Sequence, residues 1–280
     1  MNQLPAQPLF IHSFIQKKFM TQKPNRPFIL ALCVALFLIS CNGGEKKEEP
    51  TASTDSTSKA ATDTVKPAAK EPATDAVTVA PDLYKVLADS LGITVIEATY
   101  KPGDSSAMHT HHDYAIYTIG GGMAAFYTKD GARMVSDMKT GSVRIKPEEF
   151  HSVKNIGKTT IKVLLVEVNR PKGALSQDAA TDPTKVAAAH YKSMGDTLGI
   201  RVLIANYKPG ETSAMHAHPD AGVYAISGGT AEFTGKDGSK RSNEMKTGMA
   251  MITPADTHSV KNTGKTAMKI LIVEVARPTK

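Results

Sequence analysis

The chain repeats itself. A shift of 107 positions lays Tyr84–Pro171 on Tyr191–Pro278 without a gap, and 48 of the 88 aligned positions are identical. A self-match this strong means a duplicated structural unit, so whatever fold the chain adopts must be built twice. Tyr100-Lys-Pro-Gly103 returns as Tyr207-Lys-Pro-Gly210, and Met138-Lys-Thr-Gly141 as Met245-Lys-Thr-Gly248. His151-Ser-Val-Lys-Asn155 returns as His258-Ser-Val-Lys-Asn262. The copies differ mainly in the strand centres and at Asp113–Ile116, which reads as a turn.

At 280 residues the length prior is about two domains, and the repeat fixes that number. A unit of about 90 residues can hold one core, yet is small enough that the halves are expected to lean on each other. The formal charge is +7, but Lys17, Lys18, Lys23 and Arg26 precede Cys41 with no acid among them. Without that segment the charge is +3 (7 − 4), which is no nucleic-acid footprint. The absence of Trp also argues against a base-stacking surface. The two cysteines, Cys33 and Cys41, lie outside the repeats. The repeats therefore have no disulfide, no thiolate metal ligand and no cysteine nucleophile.

Residues 1–41 read as an export signal. Lys23 and Arg26 precede the apolar run Phe28–Ile39, which is too short for a comfortable membrane span. The run ends in Leu38-Ile-Ser-Cys41, which resembles the bacterial lipobox; this implies lipidation at Cys41 and a place in the cell envelope, on the periplasmic face or the cell surface. An ordinary signal peptide or an anchor helix is the alternative, and Met20 competes with Met1 as the start. Residues 42–81 are rich in Thr, Ala, Ser, Lys, Asp and Pro, and read as a disordered tether.

The first unit, 82–171, shows short β-rich runs broken by turns. Ile93–Tyr100, Tyr114–Ile119, Ala124–Thr128, Ser142–Lys146 and Thr160–Val168 read as strands, with turns at Lys101-Pro-Gly103 and Lys129-Asp-Gly131. Such spacing predicts an all-β sandwich or barrel. Residues 172–189 form a polar linker with a helical turn expected near Thr184–Ala189, and 190–278 repeat the strand order.

Six of the nine histidines sit at matched positions. In a strand, residues i and i+2 share a face, so His109 points with His111 and His216 with His218. A third histidine from another strand, His151 or His258, completes a facial set. Imidazole suits Zn, Cu, Fe and Ni.

Gly103-x5-His109-x-His111 followed by Gly121 resembles the first motif of the cupin superfamily. Gly141-x5-Pro147-x3-His151-x3-Asn155 resembles the second. Gly210, His216, His218 and Gly228, then Gly248, Pro254, His258 and Asn262, repeat both. The resemblance implies a bicupin: two tandem double-stranded β-helix (jelly-roll) barrels, with His109, His111 and His151 in one and His216, His218 and His258 in the other as ligands of a divalent transition metal (Fe, Zn, Ni, Mn or Cu). The family's usual glutamate is absent, since Ala115-Ile116 and Gly222-Val223 stand there. Pro147-Glu-Glu-Phe-His151 is also one residue shorter than the usual stretch.

Around these ligands, Asp113 and Asp220 keep the parity of the HxH pair and are expected to orient a histidine or to cap a turn. Tyr117 and Tyr224 share that parity and either donate into the barrel or fill core. Asn155 and Asn262 serve the following turn, Met108 and Met215 read as core, and Glu149 and Asp256 as a surface turn. The functional reading is a lipid-anchored, exported protein that acts on or binds a small molecule, an anionic one being favoured by the positive charge of a three-histidine centre. A metal-dependent dioxygenase, isomerase or hydrolase is one class, and a non-catalytic ligand- or metal-binding envelope module is the other. A homo-oligomer is compatible with either.

Overall fold

The computed structural model describes residues 74–176 and 178–278. The expected export segment, Cys41 and the tether through residue 73 lie outside the described residues. Each copy contributes nine strands. In the first they are β1 (Tyr84–Ser90), β2 (Ile93–Tyr100), β3 (His109–His111), β4 (Asp113–Gly120), β5 (Gly122–Thr128), β6 (Arg133–Met138), β7 (Val143–Lys146), β8 (Glu149–Asn155) and β9 (Ile161–Val168). In the second they are β10 (Tyr191–Thr197), β11 (Ile200–Tyr207), β12 (His216–His218), β13 (Asp220–Ser227), β14 (Gly229–Gly235), β15 (Lys240–Met245), β16 (Ala250–Thr253), β17 (Asp256–Asn262) and β18 (Met268–Val275). One-turn helices α1 (Ala76–Val79) and α2 (Pro183–Val186) precede the two copies, capped by Asp75 and Asp182.

Each copy folds into a five-stranded sheet facing a four-stranded one, with orders β1-β2-β9-β4-β7 and β3-β8-β5-β6, then β10-β11-β18-β13-β16 and β12-β17-β14-β15. Every ladder between the named strands is antiparallel. These are jelly-roll barrels, as the strand spacing predicts. Two strands were not legible from periodicity. β1 is mostly exposed, and β6 is polar and exposed along nearly its whole length, so neither shows a buried alternation.

Strand β9, Ile-Lys-Val-Leu-Leu-Val-Glu-Val, is buried on both faces. Alternation divides it between two cores. Ile161, Val163 and Leu165 point into the first barrel, where they join Tyr84, Ile96, Tyr100 and Tyr114. Leu164, Val166 and Val168 point out of the barrel and pack on Ile200, Val202, Leu271 and Val273 of the second copy. The two five-stranded sheets thus share one apolar layer. Gly222 lies in that layer, where an added methyl would sit 2.9 Å from Val166 Cγ1. The contacts are reciprocal: β1 meets β16 and β10 meets β7, while β2 meets β13 and β11 meets β4. A patch that meets its own equivalent is an isologous interface.

Three local features follow. The expected tether ends earlier than residue 81: Thr74 accepts from the Thr110 backbone N–H, and Ala76 is buried in the first barrel's core. Ala76 and Ala80, with Val77 and Val79 packed against the same core, supply enough apolar surface to hold this stretch, which average composition concealed. The turn between β1 and β2 places Leu91 at φ 54° and Gly92 at φ 67°, and the second copy repeats this with Leu198 at 56° and Gly199 at 70°. Two positive φ values in a two-residue hairpin loop suit Asn-Gly, and Leu there is strained. Gly121, the glycine after the HxH pair, is set by contact: a Cβ there would lie 2.2 Å from the Met138 carbonyl oxygen, and at Gly228 the equivalent distance is 2.0 Å.

Candidate metal centres

The pairing of β3 with β8 sets the first centre. His109 lies directly across from His151, and His111 across from Glu149. In the second copy His216 faces His258, and His218 faces Asp256. The structure brings together all three sequence-predicted histidines of each copy, with one ring nitrogen from each within 4.8 Å of the other two. Ring centroids are 4.7–5.2 Å apart in the first set and 4.9–5.5 Å in the second. Five of the six histidines are buried, and His258 is nearly so at 9% exposure. No carboxylate joins either set among the described residues.

The tautomers follow from the acceptors. His109 Nδ1 lies 2.8 Å from the Ala107 carbonyl and His216 Nδ1 2.7 Å from that of Ala214. A carbonyl only accepts, so Nδ1 carries the proton. His111 Nδ1 meets Glu167 at 2.6 Å and His218 Nδ1 meets Glu274 at 2.6 Å. His151 Nδ1 meets Glu149 at 3.1 Å and His258 Nδ1 meets Asp256 at 3.0 Å. All six Nε2 atoms are therefore lone-pair donors. Those of His216 and His218 are buried with no hydrogen-bond partner. An orphaned buried acceptor is costly, and a cation answers it. Three neutral imidazoles, each held by its own acceptor through the other nitrogen, fit a divalent transition metal. Burial, opposed in part by the backbone bond, holds His109 at about 4 and His216 at about 3, below the ordinary 6.5. Burial also lowers His258. All three favour the neutral ring a metal needs.

Several expectations are corrected. Asp113 and Asp220 orient no histidine. Asp113 binds Lys172 at 2.6 Å and accepts the Glu148 N–H, while Asp220 binds Arg170 and Arg277 and accepts the Ala255 N–H. Of the two roles expected for Tyr117 and Tyr224, they fill core, in the shared layer between the copies, and do not donate into a barrel. The reason is a change of sheet. The chain leaves the four-stranded sheet at His112 and enters the five-stranded one at Asp113, so the parity of the HxH pair is not carried into β4. The expected turn at Asp113–Ile116 is the start of that strand. Inward parity falls instead on Tyr114, whose ring lies 4.9 Å from His111 and whose hydroxyl donates to Glu149. Glu149 and Asp256 are histidine partners rather than a surface turn. Burial raises Glu149, but bonds from His151, Lys146 and Tyr114 outweigh it and hold it at about 2. Burial raises Asp256 too, and Arg241 and His258 bring it to about 2. Met215 is exposed, not core. Asn155 holds the turn as expected, donating to the carbonyls of Tyr100 and Thr159.

Residues that sequence reasoning missed had a signal. Glu167 and Glu274 are the one acid inside each apolar strand, in phase with the barrel-facing residues, in both copies. Tyr84 and Tyr191 sit at matched positions too. The Tyr84 hydroxyl lies 3.0 Å from His109 Nε2 and 2.7 Å from Tyr100 Oη, whereas the Tyr191 hydroxyl accepts from Tyr207 at 3.0 Å and its ring lies 4.7 Å from that of His216.

The barrels differ in free space. In the first, Tyr114 fills the interior and leaves about 40 Å³. In the second, Ala221 stands in that place and the cavity is about 110 Å³. His218, His258, Phe233, Met251 and Val260 wall it, with Asp256 and Arg241 beside them. Arg241 stacks on Phe233 at 5.1 Å and binds Asp256 at 2.7 Å.

Against known proteins, the family model described as "Cupin domain" matches residues 203–274, within the second copy. No curated protein matches the chain. Among solved structures, several of Bacillus subtilis oxalate decarboxylase are similar. One concerned with its Mn(II) centres is 16% identical with a TM-score of 0.48, and one on proton-coupled electron transfer is 17% identical with a TM-score of 0.49. Each comparison covers 68% of this chain and 70% of the other. The fold and the domain match support the cupin superfamily.

Proposed function

We propose that the protein is an exported, lipid-anchored bicupin that holds a divalent transition metal in each barrel and takes a small molecule beside it. One observation carries the reading: six imidazoles whose Nδ1 atoms are each engaged bring one ring nitrogen apiece to two convergent clusters, which leaves Nε2 as the lone-pair donor. His109, His111 and His151 would hold one ion, and His216, His218 and His258 the other. Three protein ligands leave coordination positions for water or a ligand. A bound ion of this kind supplies Lewis acidity and a water that ionises near neutral pH.

The protein's own groups do the rest. Glu167 and Glu274 orient His111 and His218, and Glu149 and Asp256 orient His151 and His258. The walls of the second cavity surround His218 and His258 with mostly apolar and aromatic side chains. Binding without turnover is the second reading, favoured by one feature. The acid and base at that cavity, Asp256 and Arg241, neutralise each other, so neither is a free proton carrier.

Elemental analysis of the purified full chain tests the metal. The expected result is two ions per chain, falling to none when His109→Ala and His216→Ala are combined. Unchanged metal in that double variant overturns the ligand assignment. Export and lipidation rest on Cys41 and its flanks. Cys41→Ala is expected to abolish fatty-acid labelling and release the protein from the membrane fraction, and labelling that persists refutes the anchor.

A further inference from the structure

The duplicated half shows what belongs in the larger cavity. Superposing the repeat in sequence puts Tyr114 on Ala221, Glu149 on Asp256, His111 on His218 and Phe126 on Phe233. In the first barrel a phenol ring is tilted 30° to His111, and its hydroxyl donates to Glu149. In the second the ring is gone, but the groups that received it remain. His218 stays buried, Phe233 still lies edge-on to the third histidine at 5.2 Å, as Phe126 does at 5.7 Å, and a carboxylate, Asp256 across from His218, still stands where the hydroxyl partner stood.

We infer that the second barrel binds a small phenolic molecule in the place that Tyr114 occupies in the first, and that the first barrel is closed to such ligands by its own side chain. This deepens the small-molecule part of the function proposed above and rests on it. Size sets an upper limit: an apolar cavity of about 150 Å³ takes benzene, so about 110 Å³ admits at most one ring, with some give of the walls. Chemistry agrees. A carboxylate offers about four lone-pair sites, and Asp256 uses three of them, on Arg241, His258 and the Thr257 N–H. One remains for a hydroxyl. Asn243 and Thr253 are the other polar non-aromatic side chains in the lining and most of the rest is apolar or aromatic, so a sugar, with a hydroxyl on nearly every carbon, would leave most of its polar groups unpaired there.

The test is calorimetric titration of the full chain with 4-methylphenol, which is the tyrosine side chain as a free molecule, with metal content assayed on the same samples. One molecule per chain is expected, and toluene, which lacks the hydroxyl, is expected to bind at least tenfold more weakly. Ala221→Tyr is expected to abolish binding. Tyr114→Ala is expected to create a second site, a gain that misfolding cannot imitate. No binding to the unmodified chain, two sites in it, or a Tyr114→Ala variant that still binds one molecule would each overturn the inference. The two readings separate cleanly. Metal without 4-methylphenol sinks the ligand and leaves the centres standing, and 4-methylphenol without metal does the reverse.

Discussion

Behind His111 stands Glu167, which has no cation paired with it among the described residues; behind His218 stands Glu274, held by Arg201, with Asp182 beyond. The copies share the histidines and the carboxylates, and differ in what neutralises them. In the first copy Thr94 occupies the place of Arg201, and Asp75, the counterpart of Asp182, is exposed to water. In the second copy Glu274 is 0% exposed and Asp182 is 8% exposed, so a buried cation is required. The interiors diverge in the same pattern. Tyr114 plugs one barrel, and Ala221 opens the other. Duplication has kept the metal-facing residues fixed and has let the surrounding charge and volume drift apart. A conserved ligand set therefore does not imply two equivalent sites.

The comparison can be broken outright at the ligands. His216→Ala alone is expected to remove one ion per chain while the first centre keeps its own, and His109→Ala to do the converse. Metal analysis that shows both ions lost in either variant would mean the centres are coupled rather than parallel. Next in size is the charge chain. Arg201→Thr imports the first copy's residue and removes the cation that two buried carboxylates share, which costs about 3–5 kcal/mol. Denaturant unfolding checks it, and a loss under about 1 kcal/mol would show that Glu274 does not depend on Arg201.

Acid sharpens the contrast further. His109 and His216 are held below 6.5, so the unfolded chain takes up these protons first and stability falls with pH. In the metal-free protein the His109 contribution is complete above pH 6.5 and is lost by about 4, while that of His216 goes on falling to about 3. Melting temperatures across that range check the sign. A melting temperature that rises from pH 6.5 to 4 contradicts it. The smallest effect lies where the copies agree. Leu91→Asn and Leu198→Asn relieve a left-handed backbone, and each is expected to stabilise by about 1 kcal/mol in thermal unfolding. A loss in either would show that the leucine side chain contributes more than its backbone strain takes away.

Much of this was legible in the letters. The repeat fixed the number of barrels, and period-two spacing put His109 and His111 on one face. What escaped was direction across a break. One residue, His112, carries the chain from one sheet to the other, and parity counted through it assigned Asp113 and Tyr117 inward when Tyr114 is the residue that points in. No local pattern marks such a crossing, because both sides of it read as strand. Glu167 was visible but silent, since a charge in an apolar run declares its burial without declaring its partner. The contrast of Tyr114 with Ala221 was visible as a mismatch, and acquired a meaning only once both were known to face a cavity.

The shared apolar layer has a consequence for ancestry. Its contacts are reciprocal, so that where β1 meets β16 the counterpart of β1 meets the counterpart of β16, as two separate chains related by a two-fold axis would. A gene encoding a single copy would have made a protein with a wet sheet face, obliged to find its twin by diffusion. Fusing two such genes turned that encounter into an intramolecular event, independent of concentration, and only then could one twin change its interior without changing the other.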